Sequence, residues 1–262
     1  MRIAFFDSGI GGLTVLHQAM KLLPGEQFVF LADEDHVPYG VKPREEVLGY
    51  VLDIADFLVK KNVKAIVIAC NTATSVGIEE LHRRYSLPIF GMEPAVAKAL
   101  DRDPDHRVLV IATNITCKGK MLQDQIARVD KKGLVDTLPM PKLVEFAEAM
   151  NFNGPEVKAY IEKQFAPYDF SQYSTLVLGC THFNYFKDTL REILPANVHM
   201  TDACDIVLSR LASTLEEKGL LEQLPKVEPE YYYTDRPVTD PKELARLQAY
   251  LDRLEQVDKI KW

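Results

Sequence analysis

Five short apolar runs recur between residues 3 and 179: "IAFF" (3–6), "FVFL" (28–31), "AIVIA" (65–69), "VLVIA" (108–112) and "TLVLG" (175–179). Their apolar residues are consecutive rather than alternate. A strand with one wet face alternates, so unbroken apolarity predicts strands covered on both faces, as in a parallel sheet between helices. The intervening segments have helical spacing. In 43–62, Val47, Val51, Ile54 and Leu58 recur at i, i+4, i+7 and i+11, with Pro43 suited to the first turn and Lys60 and Lys61 near the end. The expected fold class is α/β, with mainly parallel sheets flanked by helices.

A chain of 262 residues can bury one large core or two ordinary ones, and an internal echo favours two. "RIAFFDSGIGG" begins at residue 2 and "RVLVIATNITCKG" at 107; 63 positions separate Asp7 from Cys70, and 67 separate Thr113 from Cys180. Each half thus has a strand ending in a polar loop and, further on, a strand ending in a thiol. Two similar α/β units facing each other explain the echo, with the ligand cleft outside the carboxyl ends of their strands. The terminal "EYYYTD" and "PKELARLQAYLDRLEQV", with apolar Leu244, Leu247, Leu251 and Leu254, read as one more strand and helix returning to the first unit. The expected division is 1–94 with 210–262, carrying Cys70, against 95–209, carrying Cys180.

A net charge of −7 gives no general attraction to nucleic acid or an anionic membrane, so neither is an expected partner. No apolar stretch reaches the length of a membrane span or a secretory signal, which makes the cytoplasm the expected location. The four cysteines, Cys70, Cys117, Cys180 and Cys204, include no C-x-x-C or zinc-finger pairing, so no metal site is expected, and a reducing compartment keeps them as thiols. Packing is the expected role of Cys117 and Cys204.

Cys70 and Cys180 differ because each ends an apolar run and precedes polar residues, Asn71 and Thr72 in one case, Thr181 and His182 in the other. Exposed backbone N–H groups at such a strand end, followed by a helix N-terminus, are expected to draw the thiol pKa down from about 8.5 towards neutrality. A metal-free thiol pair has two uses: a redox couple with a resolving cysteine, or proton transfer on opposite faces of a substrate. Spacing does not choose between them. The loops lean towards the second, since they resemble a cradle for a small zwitterion. "DSGIGG" (7–12) opens a helix, so its backbone N–H groups and Ser8 are expected to grip an anion. A dinucleotide fingerprint fits poorly, because the third glycine is misplaced and Asp7 would repel a pyrophosphate. Asp33 and "HVPYG" (36–40) follow the second strand, Thr113 and Thr116 follow the fourth, and Glu93, Glu145 and His182 are further polar groups at loops or helix edges.

"FFDSGIGGLTVL", "VPYG", "VIACNTAT" and "VLGCTHF", in this order, resemble the glutamate racemases of the cofactor-independent aspartate/glutamate racemase superfamily, and the resemblance spans nearly the whole chain. It implies two pseudo-symmetric α/β domains with the active site between them, and interconversion of L- and D-glutamate for peptidoglycan without pyridoxal phosphate, metal or other cofactor. It implies that Cys70 deprotonates D-glutamate and Cys180 L-glutamate, with Asp7 assisting the first and His182 the second. By the same matching, Asp7, Ser8, Pro38, Tyr39, Gly40, Asn71, Thr72, Thr113, Thr116, Thr181 and His182 contact substrate, and Asp33 and Glu145 are supporting acids. A homodimer is the expected assembly. The chain departs from the family where "ADEDHVPYG" replaces the common "GDTARVPYG", bringing Glu34, Asp35 and His36 into the loop, and where "FNYF" replaces "YPLL" after the second thiol. An aspartate racemase, a racemase of another amino acid, and a non-catalytic acid-binding protein are the alternatives.

Overall fold

The computed structural model describes residues 1–260. Its first half runs β1 (Ile3–Asp7), α1 (Leu13–Leu22), β2 (Phe28–Ala32), α2 (Arg44–Lys60), β3 (Ala65–Ile68), α3 (Asn71–Arg84), β4 (Ile89–Gly91) and α4 (Val96–Arg102). The second continues with β5 (Arg107–Ala112), α5 (Asn114–Lys118), α6 (Lys120–Val129), β6 (Val135–Pro139), α7 (Lys142–Glu148), α8 (Pro155–Phe165), β7 (Tyr173–Leu178), α9 (Lys187–Ile193) and β8 (His199–Thr201). The chain then returns through α10 (Cys204–Glu217), β9 (Glu230–Tyr233), β10 (Arg236–Pro237) and α11 (Pro241–Val257).

Two sheets result, and they repeat one order. The first is β10-β9-β2-β1-β3-β4 and the second β6-β5-β7-β8. Setting β9 and β10 aside, both read 2-1-3-4, all parallel. β1 thus corresponds to β5 and β3 to β7, which is the echo seen in the sequence. The expected terminal strand is β9, parallel to β2. All five apolar runs fall on strands, and burial on both faces is visible residue by residue: Ile3 and Phe5 join one core cluster while Ala4 and Phe6 join the other. At about 25 cal/mol per Å² of apolar surface, this two-sided burial is what holds the sheets between their helices.

Helix α2 buries Val47, Val51, Ile54, Ala55 and Leu58, the expected stripe, with Pro43 just before its first residue. Helix α11 is capped by Asp240, whose side chain accepts the Lys242 N–H at 2.8 Å. It buries Leu247, Tyr250, Leu251, Leu254 and Val257. Leu244 does not belong to that face, being 39% exposed in the first turn. Residue 210, where the crossing is expected, lies inside α10, a helix that packs against both α1 and β4. Residues 261 and 262 of the expected first unit lie outside the described residues. Among the described residues, no helix is long and apolar enough to cross a membrane.

The unequal burial of the α11 leucines is measurable. Leu254→Ala should destabilise the protein by about 2–5 kcal/mol in urea unfolding, and Leu244→Ala by no more than about 0.5 kcal/mol.

Candidate active site

The carboxyl ends of β1, β3, β5 and β7 meet. Ser8 follows β1; Cys70 follows β3, with Asn71 and Thr72 opening α3; Thr113 follows β5; Cys180, Thr181 and His182 follow β7. With Pro38, Tyr39, Gly40 and Val144 these residues line one cavity, so both thiols open into the same space. They are 6% and 7% exposed. The free volume is about 10 Å³, room for roughly one water-sized sphere, so the cavity is closed.

Cys70 sits where β3 ends because it caps the next helix: its sulfur accepts the Ala73 N–H at 3.4 Å. The thiol also points at Ser8 Oγ, 3.7 Å away, and Ser8 Oγ donates to Asp7 Oδ1 at 3.1 Å. Asp7, fully buried, further accepts the Gly9 N–H at 3.1 Å and the Thr181 hydroxyl, from the other half, at 2.8 Å. Burial raises the Asp7 pKa despite the opposing charge of His182 and these hydrogen bonds. The Cys70 pKa was expected to fall and instead rises. Burial is the larger cause and the Asp7 charge the second, and together they outweigh the Ala73 amide.

Around Cys180 the partners differ. His182 Nδ1 lies 3.8 Å from its sulfur, and His182 Nε2–H donates to Glu148 Oε1 at 2.6 Å. Burial alone would lower the His182 pKa; the Cys180 sulfur and the Glu148 carboxylate outweigh it and hold the imidazole well above its ordinary value. Glu148 Oε1 also accepts the Ile10 N–H at 3.1 Å. The glycine loop therefore does grip anions, as expected, but they are the protein's own: Gly9 N–H is given to Asp7 and Ile10 N–H to Glu148. Its glycines serve a close approach. A Cβ on Gly11 would lie 2.3 Å from His182 Nδ1, and one on Gly9 2.1 Å from Glu148 Oε1.

A sequence profile of the family described as Asp/Glu/Hydantoin racemase matches residues 14–211. The chain is 48% identical to the glutamate racemase of Campylobacter curvus over the whole of both chains. It is 44% identical to that of Lachnospira eligens, covering 99% of this chain and 100% of the other. Among solved structures, the glutamate racemase of Francisella tularensis in complex with D-glutamate matches with a TM-score of 0.81 and 28% identity, over 96% of this chain and 93% of that one. The chain belongs to the Asp/Glu/Hydantoin racemase family. It is accordingly an isomerase.

In this racemase the remaining expected residues divide into two groups. Thr72, Thr113 and Thr116 form a buried hydroxyl cluster, with Thr72 Oγ1 2.9 Å from Thr113 Oγ1 and Thr113 Oγ1 3.0 Å from Thr116 Oγ1. Asn71 Oδ1 is buried without a hydrogen-bond partner, an acceptor suited to an incoming N–H donor. Asp33 stands behind the cavity wall rather than on it: it accepts from Tyr39 at 2.5 Å and Thr234 at 2.9 Å, lies 2.8 Å from His36 Nδ1, and so ties the 36–40 loop down. Glu145 is exposed and does not reach the site. The acid beside His182 is Glu148, one turn further along α7. The cue was present in "KLVEFAEAM", since i and i+3 share a helix face, but nothing local distinguishes which of the two faces inward.

The family loop also delivers an unexpected acid. Glu34 Oε2 lies 3.6 Å from Arg246 Nη1 of α11, and its other oxygen is buried without a hydrogen bond. Burial, reinforced by the Glu148 charge, lifts its pKa from 4.5 to about 7. A folded-state pKa above the unfolded value means that the penalty is absent below pH 4.5 and complete above pH 7. Glu34→Gln should therefore gain stability relative to the native chain as pH rises from 4 to 9, by about 3 kcal/mol at most. Thermal melting across that range measures it, and a difference that stays constant with pH would refute the assignment.

Proposed function

We propose that this racemase interconverts L- and D-glutamate with two acid/base thiols, Cys70 and Cys180, and supplies D-glutamate for peptidoglycan. The observation that carries the reading is that two thiols, at corresponding strand ends of two repeated sheets, line one cavity. The glutamate assignment is supported by relatives of that name aligned over the full chain.

The surroundings of the two sulfurs suit opposite protonation states. Beside Cys180 stands His182, whose pKa is held well above its ordinary value, a neighbour suited to a base, whereas burial next to a carboxylate raises the Cys70 pKa and suits that thiol to the acid role. In the L-to-D direction the Cys180 thiolate takes the α-proton and forms S–H, while the Cys70 S–H gives its proton to the opposite face of the carbanion. The reverse direction needs the complementary state. There, Ser8 and Asp7 offer Cys70 a hydrogen-bonded path along which its proton can leave. The α-proton of an amino acid is a very weak acid, so the developing carbanion must be met by preorganised donors in a water-poor site. Thr72, Thr113, Thr116 and Thr181 supply hydroxyls, and Asn71 Oδ1 supplies an acceptor for the ammonium group. Pro38, Tyr39 and Gly40 close the cavity beside them. Cytoplasmic action as a homodimer completes the proposal, resting on the family resemblance and on the prevalence of symmetric dimers.

Pure L- or D-glutamate should lose its circular dichroism without added cofactor, faster than aspartate does. In deuterated buffer, early product should carry deuterium at the α-carbon while recovered substrate carries little, because the base that takes the proton is not the acid that returns one. Cys70→Ser and Cys180→Ser should each lower racemisation by at least about 10³-fold. Full activity in either variant, or equal label in substrate and product, would refute the two-thiol mechanism.

A further inference from the structure

Behind His182 the hydrogen-bonded chain does not stop at Glu148. Arg246, contributed by α11 from the far end of the sequence, lies between two part-buried acids: its Nη2 is 3.6 Å from Glu148 Oε2 and its Nη1 3.6 Å from Glu34 Oε2. Glu148 Oε2 and Glu34 Oε1 are both buried without a hydrogen bond, so this guanidinium is the shared counter-ion of two carboxylates. It is held in place. Arg246 Nη2 donates to the Glu148 carbonyl at 3.5 Å, and the guanidinium sits 5.6 Å over the Tyr250 ring. The Tyr250 hydroxyl in turn donates to the carbonyls of Ala147 and Glu148 at 3.0 Å each. Helix α11 thus grips the end of α7 that presents Glu148 to His182.

Resting on the reading of Cys180 as one of the two acid/base groups, we propose that Glu34 and Arg246 are positioning residues for it. Arg246 transmits the charge of Glu34 through Glu148 to His182, and so sets the thiolate fraction at Cys180. When Glu34 is ionised, Arg246 is divided between two carboxylates, Glu148 shows His182 more of its negative charge, and the imidazolium that stabilises the thiolate is favoured. With Glu34 protonated, Arg246 belongs to Glu148 alone and offsets that charge. The groups facing Glu34 are Arg246, Glu148 and His182, with Tyr233 and Tyr250 alongside, and Glu243 meets Arg246 from the solvent side at 3.7 Å. The balance of two acids on one base is local to this cluster. The "GDTARVPYG" pattern has threonine where Glu34 stands, so the resemblance does not supply the device.

The test uses the full-length protein with its histidines labelled at Cε1 with carbon-13, the His182 resonance being assigned by its absence from His182→Asn. As pH rises from 5.5 to 9.5, the native His182 resonance should pass through a step near pH 7, and kcat/KM for glutamate should rise through the same step. In Glu34→Gln both steps should vanish, leaving kcat/KM at pH 8.5 about three- to tenfold below the native value. Arg246→Gln should also abolish the step in the resonance, and Arg246→Lys, which keeps the charge, should restore it in part. A His182 step that persists in Glu34→Gln, or a kcat/KM lowered by one factor at every pH, overturns the proposal even if racemisation is normal. If the native chain does not racemise glutamate but the His182 step disappears in Glu34→Gln, the network stands and the substrate assignment falls.

Discussion

Asp7 is fully buried and accepts hydrogen bonds from both halves of the molecule, from Ser8 and Gly9 of its own loop and from Thr181 across the cavity. A buried carboxylate is tolerable only when it is densely hydrogen-bonded, so those donors must stay where they are. That requirement fixes the distance between the loop after β1 and the turn after β7. The Tyr185 hydroxyl, donating to the Ile10 carbonyl at 3.0 Å, and the Thr14 hydroxyl, donating to the Thr181 carbonyl at 3.2 Å, hold the same seam. Gly9 and Gly11 are small because the seam leaves no room for a Cβ. Facing thiols follow from this one junction, since Cys180 directly precedes Thr181, and Cys70 points at Ser8 beside Asp7.

Much of this was legible in the sequence because the sheets are covered on both sides. Continuous apolar runs at 3–6, 28–31, 65–69, 108–112 and 175–179 became β1, β2, β3, β5 and β7. The shorter β4 and β8, three residues each, and the half-buried β6 carry too little apolar signal to be found the same way. The site was legible to the extent that chemistry sits next to strand ends. Cys70, Asn71, Thr72, Cys180, Thr181 and His182 all line the cavity, because β3 and β7 end at it. Tertiary effects were invisible. Glu148 and Glu145 differ in which one reaches His182, and the Glu34 side chain meets Arg246, more than two hundred residues away.

The direction of the Cys70 shift shows why local reasoning about a thiol is incomplete. A helix N-cap stabilises a thiolate, and the Ala73 amide does act in that sense. The effect is confined to the first turn and is worth about 1 kcal/mol or less. Removing the sulfur from water, with a carboxylate as neighbour, acts against it with a larger magnitude. The neighbour of Cys180 is instead His182, an imidazole whose pKa Glu148 and the sulfur hold well above its ordinary value. The two halves therefore repeat a backbone but not an electrostatic environment, a difference that the proposed pairing of one base with one acid would use.

Closure and protonation are coupled through the same contacts. With about 10 Å³ free, the cavity is closed, and contacts between the two halves close it: Thr181 donates to Asp7, and the Ile10 N–H to Glu148. Those two carboxylates are the ones that act on Cys70 and on His182, the first raising the thiol pKa with burial and the second holding the imidazole pKa up. The seam that shuts water out of the cavity therefore also fixes the charges around it, in the low-dielectric setting where charges interact most strongly.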